Sequence, residues 1–271
     1  FYETHHYLRS TRQGIRERAM ERGYNTETFV IGKQSGIQKC VDRILKARGI
    51  RGVILNHILS PETEVDLDWA HYSGVKVNHL PRSLKADTVA SNVMEGLDIA
   101  FERLKAMGYR RPALAICQDD ELHLNHHYFA GFLQKQQWVD KQDRIEPMAF
   151  AFDHYDTVCE EVHDWLKRHR PDVFLCTWRL APCVERLEAE HGRRCRFISL
   201  EVEAETQCYG GIQNDNVQIG RSAVEMLARQ LRKFRYGLPE HPSTLLVTPQ
   251  WVEPRDWHIR SDPSMATQVA V

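Results

Sequence analysis

Residues 155–176 read YDTVCEEVHDWLKRHRPDVFLC, and two different periodicities meet within them. From Tyr155 to His169, Val158, Val162, Trp165 and Leu166 recur on one side at helical spacing, while Glu160, Glu161, Asp164 and Lys167 fall mostly on the other. That is a helix with one buried face. VFLC (173–176) then forms a short apolar run without polar alternation, as in a parallel strand covered on both faces. Working outward, further runs of strand length are GVIL (52–55), VKV (75–77), ALAIC (113–117), FISL (197–200) and TLLV (244–247). Most of these are expected to be buried on both faces. Helical stretches separate them. Between Asn216 and Phe234, Val217, Val224, Leu227 and Leu231 share a side, and Gly237 and Pro239 follow as a left-handed cap and a helix breaker. Gly23, Gly49 and Gly108 close earlier helices in the same way. Strands alternating with helices predict an α/β fold built on parallel sheet.

The 271 residues are enough for two domains or one large α/β unit. Lys and Arg number 36 against 37 Asp and Glu, giving a formal net charge of −1, so no global field favours nucleic acid or an anionic membrane. The Arg-rich start (Arg9, Arg12, Arg16, Arg18, Arg22) is interrupted by Glu3, Glu17 and Glu21 and carries an apolar stripe of Ile15, Ala19 and Tyr24. It reads as a solvated helix face rather than a nucleic-acid arm. No apolar run reaches membrane-spanning length, and the first residues lack the pattern of a signal peptide. The seven cysteines are scattered without a C-x-x-C pair, which predicts reduced thiols and a cytoplasmic setting.

Dinucleotide, Walker, G-x-S-x-G and H-E-x-x-H signatures are all absent, so enzyme classes built on them are disfavoured. His123 and His127 are spaced i, i+4 and would share a face if one helix carried both. Two histidines without a third ligand do not make a metal site, so a polar binding loop is the preferred reading and no metal or cofactor is expected. Asp119-Asp120 and Glu160-Glu161 read as helix-start or surface charge.

Several segments together resemble one family. HHYLRSTRQGIRERAMERGY (5–24), ILKARGIRGVIL (44–55), GVKVNHL (74–80) and VASNVMEGLDIAFERLKAMGYRRPALAI (89–116) resemble, in order and spacing, the effector-sensing core of LacI/GalR-type transcriptional repressors. HHYFAGF (126–132), RPDVFLCTWRLA (170–181), RFISLEVE (196–203), GGIQNDNVQIGRSAVEMLARQL (210–231) and YGLPEHPSTLLVTPQWVEP (236–254) continue it. The resemblance implies two doubly wound parallel-sheet lobes joined by three crossovers, similar to type I periplasmic binding proteins, with a ligand cleft between them and no catalysis. One lobe would comprise residues 1–91 and 215–242, the other 92–214 and 243–260. Crossings would fall near Asn92, Asn214 and Ser243, and 261–271 would form a disordered tail. It also implies a homodimer that controls an operator through a helix-turn-helix. Neither that headpiece nor the family's first strand has a counterpart in these residues, and a lost central strand would leave sheet edges unpaired, so the chain is expected to be an excerpt. A transporter's sugar-binding protein is the alternative, disfavoured by the unpaired cysteines.

Positions matching the family's pocket are Tyr7, His57, His79, Asn92, His126, Tyr128, Trp178, Glu201 and Asn214. Thr177-Trp178 and Asn92 stand where sugar-binding members commonly have Asn-Asp and Asp, and the His-rich LHLNHHY replaces a frequent Arg. An indole, a phenol, imidazoles, carboxamides and one carboxylate suit a polyhydroxylated ring, so the implied effector is a sugar or sugar derivative.

Overall fold

The computed structural model describes residues 6–31, 35–56, 63–79, 81–151, 154–177, 180–192, 194–203 and 207–254. His57, Trp178 and the expected tail 261–271 lie outside the described residues. In chain order the elements are α1 (His6–Glu21), α2 (Ser35–Ala47), β1 (Gly52–Leu55), β2 (Ser73–Val77), β3 (Asp87–Ser91), α3 (Val93–Ala106), β4 (Pro112–Cys117), α4 (Gln118–His123) and α5 (His127–Gln136). They continue with β5 (Met148–Phe150), α6 (Tyr155–His169), β6 (Val173–Cys176), α7 (Ala181–His191), β7 (Arg196–Ser199), β8 (Gly211–Gln213), α8 (Asn216–Arg232), β9 (Thr244–Val247) and β10 (Gln250–Val252). The chain divides into two compact units, 1–92 with 215–247, and 93–214 with 248–271.

The first unit holds a four-stranded sheet in the order β1-β2-β3-β9, every neighbour pair parallel. Val75, Val77 and Val89 pack against Ile219, Ala223 and Leu227 of α8. A second cluster joins Val41 and Leu45 of α2 to Leu67 and Tyr72. Helix α1 crosses α8 at two glycines. A Cβ on Gly14 would lie 2.0 Å from the Val217 carbonyl oxygen, and one on Gly220 would lie 2.1 Å from that of Thr11, so only glycine permits this approach. Arg18 of α1 and Arg22 just past its end both pair with Glu225 of α8, while Arg221 of α8 reaches Glu21 at 2.8 Å.

The second unit holds a six-stranded sheet in the order β10-β8-β7-β6-β4-β5, parallel except that β10 runs antiparallel to β8. Every residue of β4 and β6 is buried. Val93, Leu97, Ala100 and Leu104 of α3 and Phe132 of α5 pack with Leu114, Ile116 and Leu175 of the sheet. Val158, Val162 and Leu166 of α6 and Val184 and Leu187 of α7 pack with Phe174, Cys176 and Phe197, side chains from the opposite pleats. Helices thus cover both faces, the α/β arrangement of parallel sheets with crossovers.

Two expectations change. β9 is not covered on both faces: it ends the first unit's sheet, and Thr244, Leu245 and Leu246 are exposed. Because it pairs with β3, the chain leaves the first unit after Val247 rather than near Ser243. The strands β3, β5, β8 and β10 were not among the apolar runs.

Candidate ligand-binding site

In a parallel sheet the carboxyl ends of all strands lie along one edge, where open α/β sheets hold ligands. In the second unit, β4 passes directly into α4, whose first turn carries Asp119, Asp120 and Glu121, acidic side chains suited to a helix N-terminus. Asp120 accepts a hydrogen bond from the hydroxyl of Thr177, just past β6, at 3.0 Å. Glu121 is only 4% exposed. Its Oε1 accepts the Phe129 backbone N–H at 2.9 Å, whereas its buried Oε2 has no hydrogen-bond partner. Burial raises the Glu121 pKa above the ordinary carboxyl range, and the amides that bond it offset this only in part.

Tyr128 closes the same corner. It is buried in the core, and its hydroxyl donates to the Leu200 carbonyl at 3.3 Å. Burial drives its pKa well up, and the charges of Glu201, Asp120 and Glu121 add to the shift. Glu201 stands two residues past β7 and is half-buried. Its backbone is fixed by Ser199, whose hydroxyl donates to the Glu201 carbonyl at 2.7 Å. Asn214, half-buried, follows β8 at the same edge. Carboxylates, a carboxamide and a hydroxyl therefore gather at this edge, a set that accepts hydrogen bonds from hydroxyl or ammonium groups.

His126 is exposed and left-handed (φ 62°), as is Asn125 before it (φ 56°). These two residues break the segment: α4 ends at His123 and α5 begins at His127, so the i, i+4 histidines do not share a helix. His123 instead places Nδ1 2.6 Å from the Asp119 carbonyl oxygen.

In the first unit the corresponding edge carries Asn56 after β1, Asn78 and His79 after β2, and Asn92 after β3. The side-chain oxygen of Asn56 is buried without a hydrogen-bond partner. Asn78 is left-handed (φ 63°), and its amide donates to Val89 at 2.9 Å. His79 and Asn92 are half-buried, and the Asn92 amide donates to the Val247 carbonyl at 2.9 Å. Tyr7 is half-buried near the start of α1. Lys76 is buried under the loop after β2, donating to the carbonyls of His79, Pro81 and Leu84 at 3.3, 3.0 and 3.0 Å. All three of its donors are spent on backbone, so it is structural. A shallow hollow of about 600 Å³ lies away from these strand ends, along α2 between Lys39, Asp42, Arg43 and Asp68.

The sequence reading missed Asp120, Glu121 and Asn56. Asp119 and Asp120 stand one residue past the apolar run 113–117, and that position was the available signal.

No protein-family model matches the sequence, and no curated protein matches it. Solved structures do. One is the transcriptional regulator CelR in complex with cellobiose, at 17% identity, TM-score 0.67, covering 91% of this chain and 78% of that one. Another is the Lac repressor dimer bound to operator and the anti-inducer ONPF, at 16% identity and TM-score 0.68, covering 92% and 88%. A third is a periplasmic binding protein/LacI transcriptional regulator from Alkaliphilus metalliredigens complexed with D-xylulofuranose, at 16% identity and TM-score 0.65, covering 92% and 94%. The chain has the fold of a LacI-type effector-binding core. At these identities the likeness speaks for the fold. Among the described residues no helix is long and apolar enough to cross a membrane.

Proposed function

We propose that the chain is the ligand-sensing core of a LacI-type transcriptional regulator, and that it binds a sugar or sugar derivative without transforming it. The observation that carries this reading is the gathering of Asp120, Glu121, Thr177 and Glu201 at the carboxyl ends of β4, β6 and β7. Carboxylates there accept hydroxyl protons, and they repel the carboxylate or phosphate of an acidic effector. The likeness to regulators solved with cellobiose and D-xylulofuranose supports the same ligand class.

Glu201, Asn214 and His126 are the proposed polar contacts in the second unit, and Trp178 is proposed as an aromatic contact. Tyr128 acts differently from the other site residues: its hydroxyl is committed to Leu200, so it would set the floor on which Glu201 stands. Tyr7, His57, His79 and Asn92 are the proposed contacts of the first unit. Regulation requires that the effector bind two arrangements of the protein with different affinity, and a coupling of about 1–3 kcal/mol to operator binding would suffice. Homodimerisation and an operator-binding headpiece outside these 271 residues belong to the same proposal.

A thermal-shift screen of monosaccharides, disaccharides and sugar acids tests it. A neutral sugar at 100 times its dissociation constant should stabilise the chain by about 2.7 kcal/mol. Glu201→Gln should weaken that sugar at least tenfold. A screen in which only anionic ligands stabilise, or a Glu201→Gln variant with parental affinity, would overturn the assignment.

A further inference from the structure

A second cluster of ligating groups lies on the helices α6 and α7 rather than at the strand ends. His163 of α6 is 3% exposed, and neither ring nitrogen makes a hydrogen bond. A buried imidazole with both nitrogens unbonded forfeits water without replacement, so such a ring calls for a partner. Its Nε2 lies 3.3 Å from Oε2 of Glu190, in the last turn of α7, in a contact without hydrogen-bond geometry. Nε2 of the neighbouring His191 lies 3.8 Å from the same oxygen. The two imidazoles stack at 22° with centroids 6.5 Å apart, and one ligand atom from each of the three residues falls within 4.8 Å of the others.

These separations fit a shared ion. Zinc bonds of about 2.0–2.2 Å in a tetrahedron place neighbouring ligand atoms about 3.3–3.5 Å apart. The 3.3 and 3.8 Å contacts are already near that edge. The surroundings also favour a dication. Arg186 holds the other Glu190 oxygen, Oε1, at 2.7 Å, which leaves Oε2 directed at the histidines. Asp164 lies 3.8 Å from Nδ1 of His163, too far for a hydrogen bond but close enough to add negative charge, and Glu160 pairs with Arg186 at 2.6 Å. Three carboxylates thus stand against one guanidinium. Access is open, since the side chains of Glu190 and His191 are 40% and 37% exposed.

We propose that His163, Glu190 and His191 form a zinc site that clasps the last turn of α7 to α6, with water in the fourth position. Two nitrogens and one carboxylate are a zinc donor set, and the sequence hid it because 27 residues separate His163 from Glu190. The site stands independently of the sugar-sensing proposal.

The untagged full chain, stripped with EDTA, is titrated with ZnCl₂ by calorimetry and followed by melting temperature. One zinc per chain is expected to bind and raise the melting temperature, and EDTA reverses the shift. Losing one outer partner of a metal ligand weakens binding 10–100-fold, so Glu190→Gln and His191→Ala, both at exposed positions, should each weaken zinc at least about 100-fold. His127→Ala should bind as the parent does. Absence of stoichiometric uptake overturns the proposal. So does parental affinity in folded Glu190→Gln and His191→Ala variants, or loss of binding in His127→Ala, which would move the ion to the 123–127 segment.

Discussion

Among the described residues, each unit buries one charged side chain near the carboxyl edge of its sheet, and the two are treated in opposite ways. In the first unit Lys76 spends all three ammonium hydrogens on the carbonyls of His79, Pro81 and Leu84, and the charge ties down a loop. In the second unit Glu121 satisfies Oε1 with a backbone amide and leaves Oε2 bare. A buried ion with a complete set of partners is a scaffold part; one with an oxygen to spare is poised to receive something. This contrast places the adaptable chemistry in the second unit, beside Asp120 and Glu201.

Of the tests that bear on this contrast, the largest effect is expected on the scaffold side. Lys76→Met should destabilise the chain by about 2–4 kcal/mol in urea unfolding, because three buried carbonyls lose their donor. A near-neutral result would erase the contrast. Gly14→Ala should cost about 1–3 kcal/mol through collision with the Val217 carbonyl, outweighing alanine's helical preference. Amide exchange should quicken in β1, β2 and β3 while β4 and β6 keep their protection.

The third test is a pH dependence. The folded pKa of Glu121 is raised above its unfolded value, so between the two the folded state holds more protons. Its contribution to stability is therefore full below the ordinary carboxyl pKa and is lost as pH rises through the raised one. Glu121→Gln should flatten that part of the stability–pH curve in chemical denaturation, and an unchanged curve would remove Glu121 from the account. The smallest effect is expected at the exposed edge: Leu246→Thr should shift stability by no more than about 0.5 kcal/mol, against about 2–5 kcal/mol for Leu175→Ala in β6.

That last pair shows what was legible in the sequence. VFLC and TLLV are equally apolar, yet β6 lies between β7 and β4 whereas β9 has β3 on one side only. Apolarity marks a strand without stating how many neighbours it will have. Residues 87–91, DTVAS, hid a buried strand because their polar atoms find partners that the sequence does not show: Asp87 accepts from the distant Ser243 at 2.7 Å and Gln230 at 2.9 Å, and Thr88 donates to the nearby Ala86 at 3.1 Å. The family resemblance named Glu201 and Asn214 as site candidates, and both stand just past strands, at the carboxyl edge. Burial decided Glu121 and Tyr128, and burial depends on helices α4 and α5 whose separation rests on two left-handed residues, Asn125 and His126.

The interleaved path of the chain also orders its birth. α1, β1, β2 and β3 leave the ribosome before the second unit does, but α1 rests on Gly220 of α8 and β3 lacks one flank until Val247 has emerged. The stretch from Val93 to Asn214, which carries most of the second unit, is synthesised in the meantime, so the first unit is begun before the second and completed after most of it, and a ribosome stalled between residues 92 and 214 would hold an incomplete four-stranded sheet in need of a chaperone.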